Sequence, residues 1–175
     1  LILVDKISKS LDMIADIGVR INPNIKAKTN NKISTGKKND KFGISFNQLN
    51  DVIEKIHQLQ NINLVGISCH VGSQIFAMDT FDKTFQKMKR AAKLFHQSGL
   101  LIKNLNLGGG MGIDNEKKQH FNMNQFSKIV GKHFNKEPYE ISFEPGRFLV
   151  AKSGTLITKI LMIKKSNNIN FIIVN

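Results

Sequence analysis

Four short apolar segments, residues 18–22, 64–70, 102–107 and 139–144, share one alternation, and it constrains the fold more than any other feature of the chain. Successive residues of a strand point to opposite faces of its sheet. One face collects Val19, Ile21, Ile67, Cys69, Leu105, Leu107, Ile141 and Phe143, a surface suited to lie under helices. The other collects Arg20, Asn22, Ser68, His70, Asn106, Ser142 and Glu144, polar groups set at or near the strands' C-terminal ends. An open doubly wound sheet needs apolar residues on both faces. A β/α barrel builds its sites from polar groups at the C-terminal rim of its strands. The pattern therefore predicts an α/β domain with a parallel sheet curved as in a (β/α)8 TIM barrel.

Helical periodicities separate these strands. Ser45 or Asn47 can cap a helix carrying Leu49, Val52, Ile53, Ile56 and Leu59. Asp79 or Thr80 opens a longer one with Phe81, Phe85, Met88, Ala92 and Phe95 on one side, closed by Gly99. A third runs over residues 123–134. Two further strands, 155–163 and 169–174, follow with no helix between them, so the expected division is 1–154 for barrel and 155–175 for the start of a C-terminal β domain. A complete barrel takes about 250 residues. The 175 here suffice for the later strands only.

The single cysteine, Cys69, excludes an internal disulfide framework. No apolar run approaches the roughly 18 residues of a membrane span, and the apolar opening Leu1-Ile2-Leu3-Val4 is too short for a signal peptide. A cytoplasmic protein is expected. The net charge of +13 is spread over scattered lysines with no aromatic-interleaved basic stripe, so neither nucleic acid nor membrane is an expected partner.

Three motifs carry chemistry. In Leu107-Gly108-Gly109-Gly110-Met111-Gly112 a glycine turn leaves a strand, and its bare amides can approach an anion. The same glycines would also serve a tight turn at a crowded rim. His70-Val71-Gly72-Ser73-Gln74 sets an imidazole at a strand end and a hydroxyl three residues on. No second His or Cys at ligand spacing accompanies it, so no metal is expected. Glu144-Pro145-Gly146-Arg147 places a carboxylate and a guanidinium near one mouth, either as an internal ion pair or as partners for a ring nitrogen and an anion.

In order and spacing these motifs, with Arg20-Ile21-Asn22-Pro23, Ile33-Ser34-Thr35-Gly36 and Lys41-Phe42-Gly43-Ile44, resemble the fold-type III pyridoxal-phosphate decarboxylases, which are built on an alanine-racemase-like barrel. The 33–36 stretch and the Gln74-Ile75 pair resemble the diaminopimelate decarboxylase branch, whereas ornithine and arginine decarboxylases share the other motifs. The resemblance implies a pyridoxal 5'-phosphate cofactor, meso-diaminopimelate as substrate, L-lysine and CO2 as products, and a homodimer. It implies that His70 stacks on the cofactor ring and that Ser73 with the amides of Gly108, Gly109 and Gly110 holds the phosphate. Glu144 would meet the ring nitrogen, and Gly146 and Arg147 would complete the cofactor site, with Arg147 facing the phosphate or the substrate's distal carboxylate. Arg20 and Lys41 would stand behind them. The alternatives are an ornithine- or arginine-type decarboxylase and a non-catalytic barrel homologue that binds a partner.

The family's Schiff-base lysine lies on an early barrel strand, and no lysine here occupies that context. Asn30 stands where the family often has His. The chain is expected to be a piece of a longer protein and to be inactive alone.

Overall fold

The computed structural model describes residues 1–25, 42–114 and 119–175. Lys41, Asn30 and the 33–36 stretch lie outside the described residues. The chain opens with a helix, α1 (Ile2–Ser10), that was not among the expected elements. Strand β1 (Ala15–Asn22) starts earlier than the predicted residue 18. Then follow β2 (Ile44–Ser45), a single 3-10 turn, α2 (Leu49–His57), β3 (Ile62–Ser68), α3 (Met78–Gln97), β4 (Asn104–Asn106), α4 (Met123–Phe134) and β5 (Glu140–Ser142). A short helix, α5 (Gly146–Val150), and the strands β6 (Ile160–Ser166) and β7 (Ile169–Val174) complete the chain.

The strands of the main sheet run β2-β1-β3-β4-β5, all parallel. β3 is followed by α3 and then by its neighbour β4, and β4 by α4 and then by its neighbour β5, while α2 leads from the edge strand β2 to β3 on the far side of β1. This is the repeat of a β/α barrel, present here as an arc. Register aligns the strand ends: Arg20 pairs with Ser68, Ser68 with Asn106, and Asn106 with Ser142. Every polar strand end therefore comes to one rim.

The predicted apolar face is the core face. Val19, Ile21, Ile67, Cys69, Leu105 and Leu107 are buried, and Ile141 and Phe143 pack against them. Burial pushes the Cys69 thiol up to about 12, so it stays a neutral, unreactive core group. Helix α3 supplies the largest contribution, burying Phe81, Phe85, Met88, Ala92 and Phe95. Its Phe81 meets Phe126 of α4 edge-to-face with centroids 5.1 Å apart, and Phe126 in turn meets Phe143, just past β5, at 5.3 Å. Polar ties on the outside lock the same pair of helices: Asp82 accepts from Lys132 at 2.8 Å and contacts His133 Nε2 at 2.7 Å. Asn122 caps α4 by accepting from the Gln125 amide at 2.9 Å.

Helix α3 ends at Gly99, whose φ of +86° suits glycine alone. It begins at Met78, one residue before the predicted Asp79. The terminal hairpin starts at Ile160 rather than 155, and all residues of both its strands are exposed.

Candidate active site

The site assembles where three loops leave β3, β4 and β5 at the common rim. A concavity of about 140 Å³ lies between them, lined by His70, Ser73, Gln74, Gly110, Met111, Glu144, Pro145, Gly146, Arg147 and Phe148. Six of the nine residues singled out from sequence thus share one pocket. Gly108 and Gly109 lie behind the wall, and Arg20 stands on β1.

His70 is half-buried two residues beyond β3. Its Nδ1 accepts from the Gly109 amide at 3.3 Å, which places the ring proton on Nε2. Burial, then the nearby Arg20 charge, holds its pKa below the ordinary 6.5, with Glu144 opposing. The imidazole is therefore neutral at physiological pH, as an acceptor from a backbone amide must be. A neutral His that resists protonation makes stability pH-dependent. Between its lowered native value and 6.5 the unfolded chain binds more protons than the folded one, so stability rises with pH across that window and is fully present above 6.5. We expect the unfolding midpoint to fall below pH 6.5 and His70→Gln to flatten that slope. Equal slopes in thermal melts of the two proteins between pH 5 and 7.5 would refute the assignment.

The glycine turn serves close packing first. Gly108 and Gly110 have φ of +69° and +90°. A Cβ on Gly108 would clash with the carbonyl of Cys69, one on Gly109 with that of Glu144, and one on Gly110 with that of Gly72. The Gly108 amide donates to Asn106 Oδ1 at 2.8 Å and the Gly109 amide to His70. Among the described residues the Gly110 amide and the Ser73 hydroxyl are donors at this rim that make no hydrogen bond to a protein acceptor.

Glu144 is exposed in the pocket wall, and its partner is Asn106, whose Nδ2 donates to Oε1 at 2.9 Å. Among the described residues it forms no ion pair with Arg147, so the guanidinium is left to face other groups. Arg147 sits in the first turn of α5 and is exposed. Arg20 stacks over Phe42, with its guanidinium carbon 5.2 Å from the ring centroid, and acts on the pocket through its field at His70.

Asn106 and Gln74 are the residues that sequence reasoning did not place in the site. Asn106 was legible as a polar strand-end residue, but its hold on Glu144 needs the β4–β5 register. Among the described residues no group of three or more His, Cys, Asp or Glu side chains could hold a metal ion.

The pyridoxal binding domain family of pyridoxal-dependent decarboxylases matches residues 1–151. The diaminopimelate decarboxylase of Vibrio cholerae is 32% identical over 173 residues, covering 98% of this chain and 42% of that protein. The crystal structure of the Helicobacter pylori diaminopimelate decarboxylase complexed with L-lysine superposes with a TM-score of 0.86 at 33% identity, over 98% of this chain and 43% of that one. A diaminopimelate decarboxylase from M. jannaschii in co-complex with L-lysine gives 0.79 at 31%, over 99% and 42%. The chain spans about two fifths of the length of these relatives. With strand order, rim chemistry and motif spacing in agreement, the chain belongs to the pyridoxal-dependent decarboxylases and carries part of their pyridoxal-binding barrel domain.

Proposed function

We propose that the protein carrying this sequence decarboxylates meso-2,6-diaminopimelate to L-lysine and CO2 with pyridoxal 5'-phosphate. The observation that carries the reading is the single pocket uniting His70, Ser73, Gly110, Glu144, Gly146 and Arg147. Its donor set suits a phosphate-bearing ring: an amide and a hydroxyl without protein acceptors and a guanidinium all line it. Bound there, the cofactor supplies a conjugated ring that takes up the electron pair left by departing CO2.

The residues divide the work. Ser73, the Gly110 amide and Arg147 meet the phosphate, and Gly146, whose amide donates to the Glu144 carbonyl at 2.9 Å, lines the site beside them. Gly108 and Gly109 contribute by shaping the turn, since their own amides are engaged by Asn106 and His70. The neutral His70 offers a ring face for stacking, and its bond from Gly109 fixes the ring's orientation. Glu144, held by Asn106, keeps the ring nitrogen protonated. Arg147 is also the candidate for the substrate's distal carboxylate, because no protein carboxylate claims it among the described residues. Burial keeps His70 neutral, and the Arg20 charge adds to this from behind.

Residues 155–175 are assigned to the beginning of a second, β-rich domain, which agrees with a hairpin forming its own sheet. A cytoplasmic homodimer with a small amino-acid substrate completes the proposal. No described helix is long and apolar enough to cross a membrane.

The test is CO2 release by the full-length polypeptide, with meso-diaminopimelate, ornithine and arginine offered separately. Preference for meso-diaminopimelate is expected. Faster turnover of either other amino acid overturns the substrate assignment, and release from none of them overturns the enzyme.

A further inference from the structure

Gln74 has φ of +58°, a conformation in which a side chain with a Cβ is disfavoured and which persists only where the surroundings hold it. Here they do. Its carboxamide makes two bonds to the main chain of a residue 39 positions later: Nε2 donates to the Ile113 carbonyl at 2.8 Å, and the Ile113 amide donates to Oε1 at 2.9 Å. Immediately beside this pair, the Ile75 amide donates to the Gly110 carbonyl at 2.9 Å and the Gly112 amide to the Ile75 carbonyl at 3.0 Å. The bridge Ile75↔Met111 is parallel, and the side chain of Gln74 extends it by supplying one donor and one acceptor, as another strand residue would. Ile75 beneath it is fully buried. The loop after β3 and the turn after β4 are thus fastened at four points. The hydroxyl of Ser73 and the amide of Gly110 stand on opposite sides of that seam.

We propose that Gln74 is a positioning residue: its carboxamide brackets the Ile113 main chain and so sets the distance between Ser73 and the glycine turn, the two halves of an anion cradle for the cofactor phosphate. The inference rests on the pocket being the pyridoxal-phosphate site. Gln74 touches neither ring nor phosphate in this account and acts through the two loops it joins. Removing the bracket leaves both donors present but no longer held at a fixed spacing, and preorganised donors owe much of their strength to that spacing.

The experiment uses the full-length polypeptide and three variants. Gln74→Asn tolerates the positive φ but is too short to reach Ile113. Gln74→Gly relieves the backbone and removes the side chain. Gln74→Glu keeps the acceptor and loses the donor. Pyridoxal-phosphate and inorganic-phosphate affinities, the 31P resonance of the bound cofactor, and the unfolding midpoint of the cofactor-free protein are measured for each. We expect affinity for both ligands to fall about tenfold in the Asn and Gly variants, the scale of two neutral hydrogen bonds, with a displaced 31P resonance and a smaller loss in Gln74→Glu. Undiminished affinity per folded molecule in Gln74→Gly and Gln74→Asn, whatever happens to the unfolding midpoint, makes Gln74 a purely structural residue and overturns the proposal. Failure of the unaltered protein to bind pyridoxal phosphate overturns the reading of the pocket instead.

Discussion

Gly109→Ala is expected to destabilise the domain by about 3 kcal/mol, near the upper end for overpacking a well-filled site, and to abolish pyridoxal-phosphate binding with it. Gly109 has no positive φ, so the argument is wholly steric. Its added Cβ would run into the Glu144 carbonyl, with the carbonyl carbon 2.7 Å away. That carbonyl cannot step back cheaply. The Glu144 amide donates to the Gly108 carbonyl at 2.8 Å, and the Leu107 amide donates to Ser142 at 2.9 Å, so the ends of β4 and β5 are tied on both sides of the clash. The substitution must break these bonds or push the Glu144 loop into the pocket. Gly146→Ala is the control. Nothing lies within 4 Å of a Cβ there, φ is not positive, and the residue opens α5, so a change within about 0.5 kcal/mol is expected. Urea unfolding midpoints of the two variants check both statements. If Gly109→Ala keeps the unaltered midpoint and loses only cofactor affinity, the glycine is present for the phosphate and the packing account fails.

That contrast marks where sequence reading stopped. Alternation along residues 18–22, 64–70, 102–107 and 139–144 was enough to assign core and rim faces, because the period of a strand is two and one buried face admits no slip. Helix α4 was legible to its ends, residues 123–134. Helix α1 was not, because Leu1 offers no side-chain cap. Helix α5 was not either. Pro145 and Gly146 favour a turn by local preference, and the short ladder that includes the Ala151 amide donating to the Arg147 carbonyl at 2.9 Å overrides it. Residues 155–159 have strand-like composition but no pairing partner apart from the contacts of Lys159 with Asn175, so β6 begins at Ile160.

The residues that line the pocket were mostly legible as types and positions, and their relations were not. Whether the glycine amides were free for an anion depended on Asn106 and His70 reaching them, which only the register of β3, β4 and β5 decides. The Gln74–Ile113 bracket joins residues 39 apart in sequence. The Glu144–Arg147 pair, three residues apart and of opposite charge, was the more obvious contact and does not form. The short helix α5 carries Arg147 onward while Asn106 holds the carboxylate.

In the full-length polypeptide, on the proposed reading of the pocket, Glu144→Gln is expected to lower kcat for CO2 release about 100-fold, the scale seen when one charge-stabilising group is removed from an active site, while the fold and cofactor affinity stay close to those of the unaltered protein. The fold is spared because Glu144 is exposed and its one described side-chain bond is accepted from Asn106 Nδ2 at 2.9 Å, a bond that the amide oxygen of glutamine can accept equally well. What glutamine cannot do is carry a negative charge. A carboxylate beside the ring nitrogen favours its protonated form, and that form draws electron density away from the carbon losing CO2. Glu144→Asp keeps the charge but withdraws it by one methylene, out of reach of Asn106, and an intermediate rate is expected. The absorbance of the bound cofactor gives an independent reading, because it follows the protonation of the ring. A shift in Glu144→Gln that Glu144→Asp restores ties the rate loss to charge. If Glu144→Gln turns over at more than half the unaltered rate, Glu144 is part of the pocket wall and the protonating group must be sought elsewhere at the rim.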